Sequence, residues 1–534
     1  MPLFFQARPR ACLVLFCLLL WLPGLFSLPP SDRDESRFAL ATRQMTETGD
    51  YVRIMNGDVP RNRKPIGIYW LQAPFAMAAH AAHVATANPI WPYRLPSLLG
   101  GIAAVLATFQ IGLLLFADRR TAFFAGAMLA ACVILTVEAH IAKTDAALLG
   151  ATTLVQAMLA RAWMAPKTMR RRHAAMFWLA MGAGILIKGP ISPLVGGATA
   201  LSLSVLHRRG AWLQTLRPIW GVPLMLAVVL PWLIAIGIAT QGRFFTDAIG
   251  GDLGSKLAGG EEAHGGFPGL HLLLLPLLCF PSTLWVLRAA PGAWRERHQE
   301  ATGFLLAWLV PCWLVFEAVP TKLPHYTLPL YPALFLLAAR YGLTMQRPEW
   351  LKRASAGLLL AAAAMIGVVA AIAPLALHAQ WSLGLPAAAA VGLVAFLAWR
   401  GFAGWALFAA VPLYTALLHT ELPRLTSLWI APRVEAMLAR QPGDDPSGRG
   451  VVAGGYAEPS LQFLAGPYIM LMPNGTSAAY AMAHGRTTAI VNDDDLTAFT
   501  AEATKLGLAP HKLGNVAGYN YSRGRPAALT IFAR

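Results

Sequence analysis

Residues 354–377 read ASAGLLLAAAAMIGVVAAIAPLAL, a run without a single charged side chain. A helix needs about 20 consecutive apolar residues to cross the hydrocarbon core of a bilayer, so this run predicts a transmembrane helix. The whole 534-residue chain has a similar character, with 56% hydrophobic and 13% charged residues. Soluble globular proteins carry about 25% charged residues. The composition therefore excludes both a cytosolic enzyme and a disordered chain.

Other apolar runs, separated by clusters of Arg, Pro and Gly, repeat this pattern. The first run follows Arg8 and Arg10 and lacks a small-residue cleavage site, so we interpret it as a retained span rather than a signal peptide. The sequence predicts an all-α polytopic membrane protein with about 13 transmembrane helices. The predicted spans lie near residues 11–28, 93–116, 121–138, 144–163, 174–187, 190–206, 218–239, 269–287, 301–318, 325–339, 354–377, 383–399 and 402–419.

The basic residues alternate along the loops and predict the orientation. The formal net charge is +17, and most of it lies on every second loop, in clusters such as Arg119-Arg120 and Arg170-Arg171-Arg172. Short loops rich in Arg and Lys stay in the cytoplasm. We therefore expect a cytoplasmic N-terminus in a bacterial inner membrane. This charge pattern needs no nucleic acid as a partner.

The opposite, periplasmic face holds three long segments, at residues 29–92, 240–268 and 420–534. The last alternates strand-like runs near 451–453, 468–472, 487–491 and 528–532 with a helix-like stretch near 496–506. This alternation predicts a small C-terminal α/β domain. The chain thus divides into a transmembrane domain, 1–419, and a periplasmic domain, 420–534.

The first long loop opens with a dense group of charges, in which Asp34, Glu35 and Arg37 follow Asp32. A helix start capped by Ser31 would explain one such acid. A whole cluster next to a membrane span favours a functional site, because carboxylates are costly to hold near hydrocarbon.

Charged and aromatic residues also mark the periplasmic ends of several spans. Each alone could be a helix-end anchor, but the chain has only nine lysines, and five of them lie on this face before residue 420. We expect these residues to converge on one site. They are Lys64, Lys143, Asp145, Lys188, Lys322, His325 and Tyr326.

The Gly-rich loop 240–268 has the length and composition of a mobile flap over a site. Its candidate residues are Asp252, Lys256, Glu262 and His264. Glu262 with His264 is a weak candidate for a divalent metal, because two ligands without a third make a poor site. No cofactor is firmly implied.

Acids and lysines above a helical bundle suit a lipid-phosphate substrate whose chain lies between the helices. When a sugar leaves such a phosphate, basic side chains stabilise the charge that develops, and a carboxylate activates the acceptor.

Six short motifs carry a resemblance to a known family. They are DESRFA at 34–39, GDYVRIMNG at 49–57, KPIGIYW at 64–70, KTD at 143–145, KGP at 188–190 and KLPHYTLPLYPAL at 322–334. Their order resembles glycosyltransferase family 39, the polyprenyl-phosphate-dependent membrane transferases of GT-C type. Within it the chain is most similar to the bacterial aminoarabinose transferases that modify lipid A. Arg63 is a departure, since these transferases often have an acid there.

The resemblance implies catalytic roles for Asp34, Asp145 and Glu35. It places Arg37 beside these acids and assigns Lys64, Lys322 and Tyr326 to the donor phosphate. We expect the donor phosphate to bind at these four residues together with Lys143, Lys188 and His325.

We expect transfer of a sugar from a polyprenyl-phosphate donor, as co-substrate, to a lipid A-like lipid or a glycan at the periplasmic face. Membrane lipids are further partners. Two alternatives stay open, a protein O-mannosyltransferase-like enzyme and a lipid or solute transporter. A transporter usually places its ionisable groups near the bilayer midplane, whereas these lie at span ends.

Overall fold

The computed structural model describes residues 8–82, 88–254, 266–343, 347–441 and 447–534. Helices make up most of the described chain before residue 430. Their bounds are Pro9–Leu25, Asp34–Thr48, Gly67–Ala81, Trp91–Phe116, Arg119–Ala131, Val133–Ala139, Thr144–Met164, Arg171–Lys188, Ile191–Leu206, Pro218–Ala239, Thr246–Gly254, Leu270–Leu278, Thr283–Arg295, Glu300–Ala318, Tyr331–Leu337, Glu349–Ala376, Leu385–Trp399, Ala403–Phe408 and Ala410–Tyr414.

Six helical segments in the described part of the chain are long and apolar enough to cross a membrane. They are Trp91–Phe116, Pro218–Ala239, Glu300–Ala318, Glu349–Ala376, Trp381–Trp399 and Ala403–Arg424. A seventh is added if Arg119–Ala131 and Val133–Ala139, which bend by 61° at Cys132, count as one span. Other predicted spans form shorter helices, such as Pro9–Leu25 and Ile191–Leu206. A helical chain with several potential spans is therefore confirmed, while the number thirteen stays a prediction.

The membrane helices surround one large apolar core, in which Trp21, Trp308 and Phe335 are fully buried. Two glycines allow an especially close helix contact. A Cβ atom on Gly100 would lie 2.5 Å from the backbone of Ala146, and one on Gly150 would lie 2.7 Å from the carbonyl of Gly100. Small residues at such crossings let helix backbones approach closely. This contact fixes helix Thr144–Met164, whose first turn carries Asp145.

The C-terminal segment forms a five-stranded sheet. A two-stranded hairpin in the first long loop supplies β1, Met55–Asn56, and β2, Val59–Pro60. The C-terminal strands are β3, Val451–Gly454; β4, Met470–Met472; β5, Thr488–Asn492; β6, His511–Asn520; and β7, Arg525–Ala533. Their order is β4-β3-β5-β7-β6, with β3 parallel to β4 and β5, and β7 antiparallel to β5 and β6.

Helices Ile430–Leu438, Pro459–Ala465, Gly475–Ala483 and Leu496–Lys505 accompany this sheet. Each predicted strand-like run contains part of a strand, and the predicted helical stretch is a helix. Strand β6 was not predicted, because Lys, Gly and Asn interrupt its apolar alternation. Long antiparallel pairing with β7 stabilises it instead.

Candidate functional site

Five ionisable side chains from three parts of the chain, residues 138–145, Lys188 and His325, form one largely buried group. This charged cluster consists of Glu138, Lys143, Asp145, Lys188 and His325. The ammonium Nζ of Lys143 lies 3.0 Å from Oε1 of Glu138 and 3.5 Å from Oδ2 of Asp145. Lys188 donates to Oδ1 of Asp145. The His325 ring lies between the two carboxylates, 3.6 Å from Oε1 of Glu138 and 3.7 Å from Oδ1 of Asp145.

Ends of helices bring these residues together. Asp145 lies in the first turn of Thr144–Met164, where the helix dipole favours a negative charge. Lys188 is the last residue of Arg171–Lys188, and Gly189, with φ +66°, ends that helix in the left-handed region. His325 belongs to the 3₁₀ segment Pro324–Leu330. The cluster thus lies where several helices terminate.

A cavity of about 470 Å³ opens beside the cluster. Asp145, Lys188 and His325 form part of its wall, and Lys64 with Arg63 adds two more cations. Most of the remaining wall is apolar. It includes Leu148, Ile185, Ile191, Leu194, Trp232, Leu233, Phe244, Phe245, Ile249, Val315, Phe316 and Leu328. The cavity therefore combines a charged end with an apolar body.

The charges at this end favour an anionic ligand. Within the cluster, the two ammonium groups balance the two carboxylates. Lys64 and Arg63 then add positive charge to the cavity wall. Tyr326 also lines the cavity, and its ring centroid lies 5.6 Å from Nζ of Lys188. A phosphate group suits such a place, because Lys and Arg bind phosphate by charge-assisted hydrogen bonds.

Two neighbouring acids in the first long loop have different surroundings. Asp34 begins helix Asp34–Thr48 and is accessible, with 57% of its side chain exposed; Oδ1 lies 3.9 Å from Nη1 of Arg37. Glu35 is buried and faces Arg94, whose Nε donates to its Oε1 at 2.8 Å. One acid is therefore open to a ligand, and the other is held inside the protein.

Every oxygen of the Glu35 carboxylate has several donors. Oε1 also accepts from the backbone N–H of Ala142 at 2.9 Å, and Oε2 accepts from the N–H and the hydroxyl of Ser31 at 2.8 and 2.9 Å. Burial alone would raise the pKa of Glu35, but Arg94 and these hydrogen bonds outweigh it and hold the pKa below its usual value. This geometry favours a role in holding the loop against the helices.

The remaining predicted residues are placed as follows. Lys322 is buried and donates from Nζ to the carbonyl of Val319 at 2.7 Å. Helix Thr246–Gly254 contains the backbone of Asp252, whose side chain lies outside the described residues. Lys256, Glu262 and His264 also lie outside them.

The described start of the Gly-rich loop does reach the cavity. Phe244, Phe245 and Ile249 line its wall, and Asn62 donates to Oδ2 of Asp247 at 2.9 Å. No group of three His, Cys, Asp or Glu residues placed to hold a metal occurs within the described ranges.

Sequence reasoning missed Glu138 and Arg94. Glu138 ends an apolar run, and an acid in such a place is costly without a purpose, so its position was a usable signal. Arg94 stands in a predicted span just after an apolar Trp-Pro-Tyr stretch. Its partner, Glu35, is 59 residues away, so only the fold brings the two together.

Comparison with known proteins agrees with the motifs. Residues 63–234 match the family model described as dolichyl-phosphate-mannose-protein mannosyltransferase. An undecaprenyl phosphate-alpha-4-amino-4-deoxy-L-arabinose arabinosyl transferase of Pseudomonas paraeruginosa is 27% identical over 367 residues, covering 66% of this chain and 64% of the relative. A transferase of the same name from Pectobacterium carotovorum is 27% identical over 437 residues, covering 77% and 75%.

A solved structure extends the likeness to nearly the whole chain. The crystal structure of ArnT from Cupriavidus metallidurans, bound to undecaprenyl phosphate, superposes with a TM-score of 0.75. The two chains are 18% identical, and the superposition covers 97% of each. At this identity the likeness shows a shared fold. The chain is therefore similar, in sequence and in fold, to the polyprenyl-phosphate-dependent membrane transferases of GT-C type, as its motifs indicated.

Proposed function

We propose that this chain is a bacterial inner-membrane glycosyltransferase that moves a sugar from a polyprenyl-phosphate donor to a lipid A-like lipid or a glycan. The cavity with a charged end and an apolar body is the observation that carries the proposal. Its apolar wall suits a polyprenyl chain, and its cations suit the phosphate. The relatives' names and the undecaprenyl phosphate of the solved ArnT structure support this donor.

The donor phosphate binds at Lys64, Arg63 and Lys188. Tyr326 stacks near Lys188 and keeps the ammonium facing the cavity. Lys143 acts on the phosphate indirectly, because it pairs with Glu138 and Asp145. The His325 ring lies between the same two carboxylates and helps to hold them in place. Lys322, bonded to Val319, stabilises the turn before His325.

Transfer forms a bond between an oxygen of the acceptor and the sugar's anomeric carbon, and breaks the bond between that carbon and the donor phosphate oxygen. The electron pair of the broken bond goes to the phosphate. Lys188 and Lys64 stabilise the charge that develops there. Asp145 fixes Lys188 in place. Asp34, accessible beside Arg37, orients a phosphate acceptor that is already ionised, or removes the proton of a hydroxyl acceptor.

The membrane arrangement follows from charge. We propose about thirteen spans, a cytoplasmic N-terminus, and a periplasmic C-terminal domain at residues 420–534. The Arg-rich loops support this orientation. Asp34 and the charged cluster then face the periplasm, where the acceptor lies.

A transfer assay tests the proposed function. Purified protein in detergent is given undecaprenyl-phosphate-linked 4-amino-4-deoxy-L-arabinose, the sugar that the relatives' names indicate, with lipid A as acceptor. Mass spectrometry is expected to detect a pentosamine added to lipid A by the wild type, and at most a hundredth of that rate with Lys188→Ala. The matched control is Lys352→Ala, an exposed lysine paired with Glu349. Full activity of Lys188→Ala would exclude this site.

The matched family model favours protein mannosyl transfer as the second candidate. In the same assay, polyprenyl-phosphate mannose and Ser/Thr-rich peptides replace the first substrates. Mannosylated peptide without modified lipid A would favour the second candidate. Solute uptake that is lost on deletion of the gene, with unchanged envelope glycolipids, would favour a transporter.

A further inference from the structure

The sequence GYNYSRGR, at residues 518–525, comprises the end of β6, the turn 521–524 and the first residue of β7, and it reaches the first long loop. The Tyr521 hydroxyl accepts a hydrogen bond from the backbone N–H of Asp32 at 2.6 Å. Nη2 of Arg33 donates to the carbonyl of Ser522 at 2.5 Å. The hairpin thus contacts the two residues that immediately precede Asp34.

A second element of the C-terminal domain contacts the same turn. Ser460, in helix Pro459–Ala465, donates from its hydroxyl to Oδ1 of Asp32. The same helix packs along Asp34–Thr48, where Nη1 of Arg43 donates to the carbonyl of Phe463 at 2.8 Å. We call Ser460, Tyr521 and Ser522 the clasp. Together they hold the turn from two sides.

The backbone that the clasp holds is strained. Arg33 has φ +61° and ψ −111°, the values of the first central residue of a type II′ turn, where glycine predominates. A residue with a side chain persists in such a conformation only when its surroundings fix it. The clasp contacts lie on Arg33 itself and on its neighbour Asp32, so they supply that constraint.

The surroundings of Asp32 show that the clasp limits access of water. Burial, together with the nearby charge of Glu458, raises the pKa of Asp32 to about 7, although hydrogen bonds from Ser460 and Tyr521 oppose the rise. Glu458 is itself buried, and Nδ2 of Asn520 donates to it at 2.9 Å. The turn is therefore enclosed between the two domains.

We propose that the clasp sets the direction of the Asp34 carboxylate by holding the strained turn, and that Tyr521 is a positioning residue for transfer. This inference rests on the proposed function, in which Asp34 engages the acceptor. The C-terminal domain then has a definite part in the reaction, although it contributes no residue to the described cavity wall.

Hydrogen exchange on the full-length protein tests the clasp without any substrate. In Tyr521→Phe, the amide of Asp32 loses its acceptor, and we expect exchange in residues 31–34 to become about tenfold faster than in the wild type. The matched control is Tyr480→Phe, an exposed tyrosine of the same domain that stacks on His484. Unchanged exchange in Tyr521→Phe would overturn the inference, whatever the enzyme assay shows.

The kinetic pattern distinguishes positioning from general loss of structure. For Tyr521→Phe we expect kcat to fall about tenfold and KM for the donor to change less than twofold, because the donor cavity is untouched. A fall in kcat with an equally large rise in KM, together with a lower melting temperature, would indicate a purely structural role and overturn the inference. An inactive wild type would overturn the proposed function instead, and the exchange result would still decide whether the clasp holds the turn.

Arg33 provides a second pair of variants. Arg33→Ala and Arg33→Gly both lose the bond to Ser522, but only glycine adopts this backbone conformation without strain. We expect Arg33→Gly to retain about fivefold more activity than Arg33→Ala. Equal activities would contradict the importance of the strained turn.

Discussion

Two buried groups in this protein each contain both acidic and basic side chains. They differ in how completely their polar atoms are hydrogen-bonded. In the first, Glu35 and Arg94 are bonded to each other and to five backbone groups, those of Leu25, Leu28, Pro29, Ser31 and Ala142. In the second, Glu138, Lys143, Asp145, Lys188 and His325 form a network beside a cavity.

The first group is saturated. Besides its bonds to Glu35, Arg94 donates to the carbonyls of Leu25, Leu28 and Pro29 at 2.8 to 3.0 Å. Both oxygens of Glu35 accept from Arg94 and from other donors. All these hydrogen bonds are made within the protein, and this geometry favours a role in holding the loop over contact with a ligand.

The second group is incomplete. Oε2 of Glu138 has no hydrogen-bond partner among the described residues, and Asp145, Lys188 and His325 face the cavity. A buried polar atom without a partner is costly, and a bound ligand or water can compensate for that cost. Hydrogen-bond saturation, rather than burial or charge, therefore distinguishes the Glu35–Arg94 pair from the candidate site.

The largest effect is expected from Glu35→Ala, which leaves the Arg94 guanidinium buried without its carboxylate. Breaking a buried pair from one side costs about 3–5 kcal/mol, measured here as the free energy of unfolding in a denaturant titration in detergent. The control is Glu47→Ala, which breaks the partly exposed pair with Arg43 on the same helix and should cost less than about 1 kcal/mol. If Glu35→Ala and Glu47→Ala lower the free energy of unfolding equally, the Glu35–Arg94 pair is not the structural element inferred here.

Asp145→Asn tests the incomplete group. It keeps the shape of the side chain but removes the charge that holds Lys188, so we expect the transfer rate to fall about 10²–10³-fold. Stability should change less than in Glu35→Ala, because Lys143 keeps Glu138 as a partner and Lys188 lines the open cavity. The control is Glu349→Gln, an exposed acid paired with Lys352. Normal turnover by Asp145→Asn would remove Asp145 from the mechanism.

A smaller effect is expected at Asp32, which lies near the saturated pair. Its carboxyl group accepts a hydrogen bond from the neutral Ser460. Burial raises its pKa to about 7 in the folded protein, so the folded state binds the proton more tightly than the unfolded chain. The free energy of unfolding should therefore fall as pH rises from about 4 to 7.

Asp32→Asn removes that pH dependence. It should match the wild type at pH 4 and exceed its stability by about 1–2 kcal/mol at pH 8, a part of the full shift because Asp32 is partly exposed. Denaturant titrations at both pH values measure this. If the difference in the free energy of unfolding between the wild type and Asp32→Asn is the same at pH 4 and pH 8, Asp32 does not carry a raised pKa in the folded protein.

The smallest effect is expected from Tyr326→Leu, which removes the ring 5.6 Å from Nζ of Lys188. A cation–π contact contributes about 0.5–1 kcal/mol, so KM for the donor should rise about two- to fivefold with little change in kcat. Tyr326→Phe keeps the ring and is expected to behave like the wild type. If Phe and Leu variants are equally impaired, the hydroxyl rather than the ring is what Lys188 requires.

The helical membrane architecture was predictable because long apolar stretches have few alternatives in a bilayer. A long apolar stretch does not reveal where a helix breaks, and one predicted span bends by 61° at Cys132. Strands β3 and β5 were visible as short apolar runs, whereas β6 depends on pairing with β7. The local sequence pattern predicts a strand whose own residues favour it. The pattern does not predict a strand that is stabilised mainly by pairing with a neighbouring strand.

At the candidate site, the sequence pointed to Lys64, Asp145, Lys188 and His325, and the structure gathers them around one cavity. The roles assigned to them stay predictions. Asp34 and Glu35 look equivalent in the sequence. Their different environments follow from the helix period, which turns successive residues by about 100° and directs one towards Arg94 and the other outward.

Local hydropathy, charge and short motifs are sufficient to predict a helical membrane protein, the residue types at the ends of its helices, and the family that it resembles. Which charges are saturated and which face a cavity depends on the folded chain. Glu35 contacts Arg94, Glu138 contacts His325, and Tyr521 contacts Asp32 across long stretches of sequence. Hydrogen-bond saturation is a property of three-dimensional neighbours, and a linear pattern does not contain it.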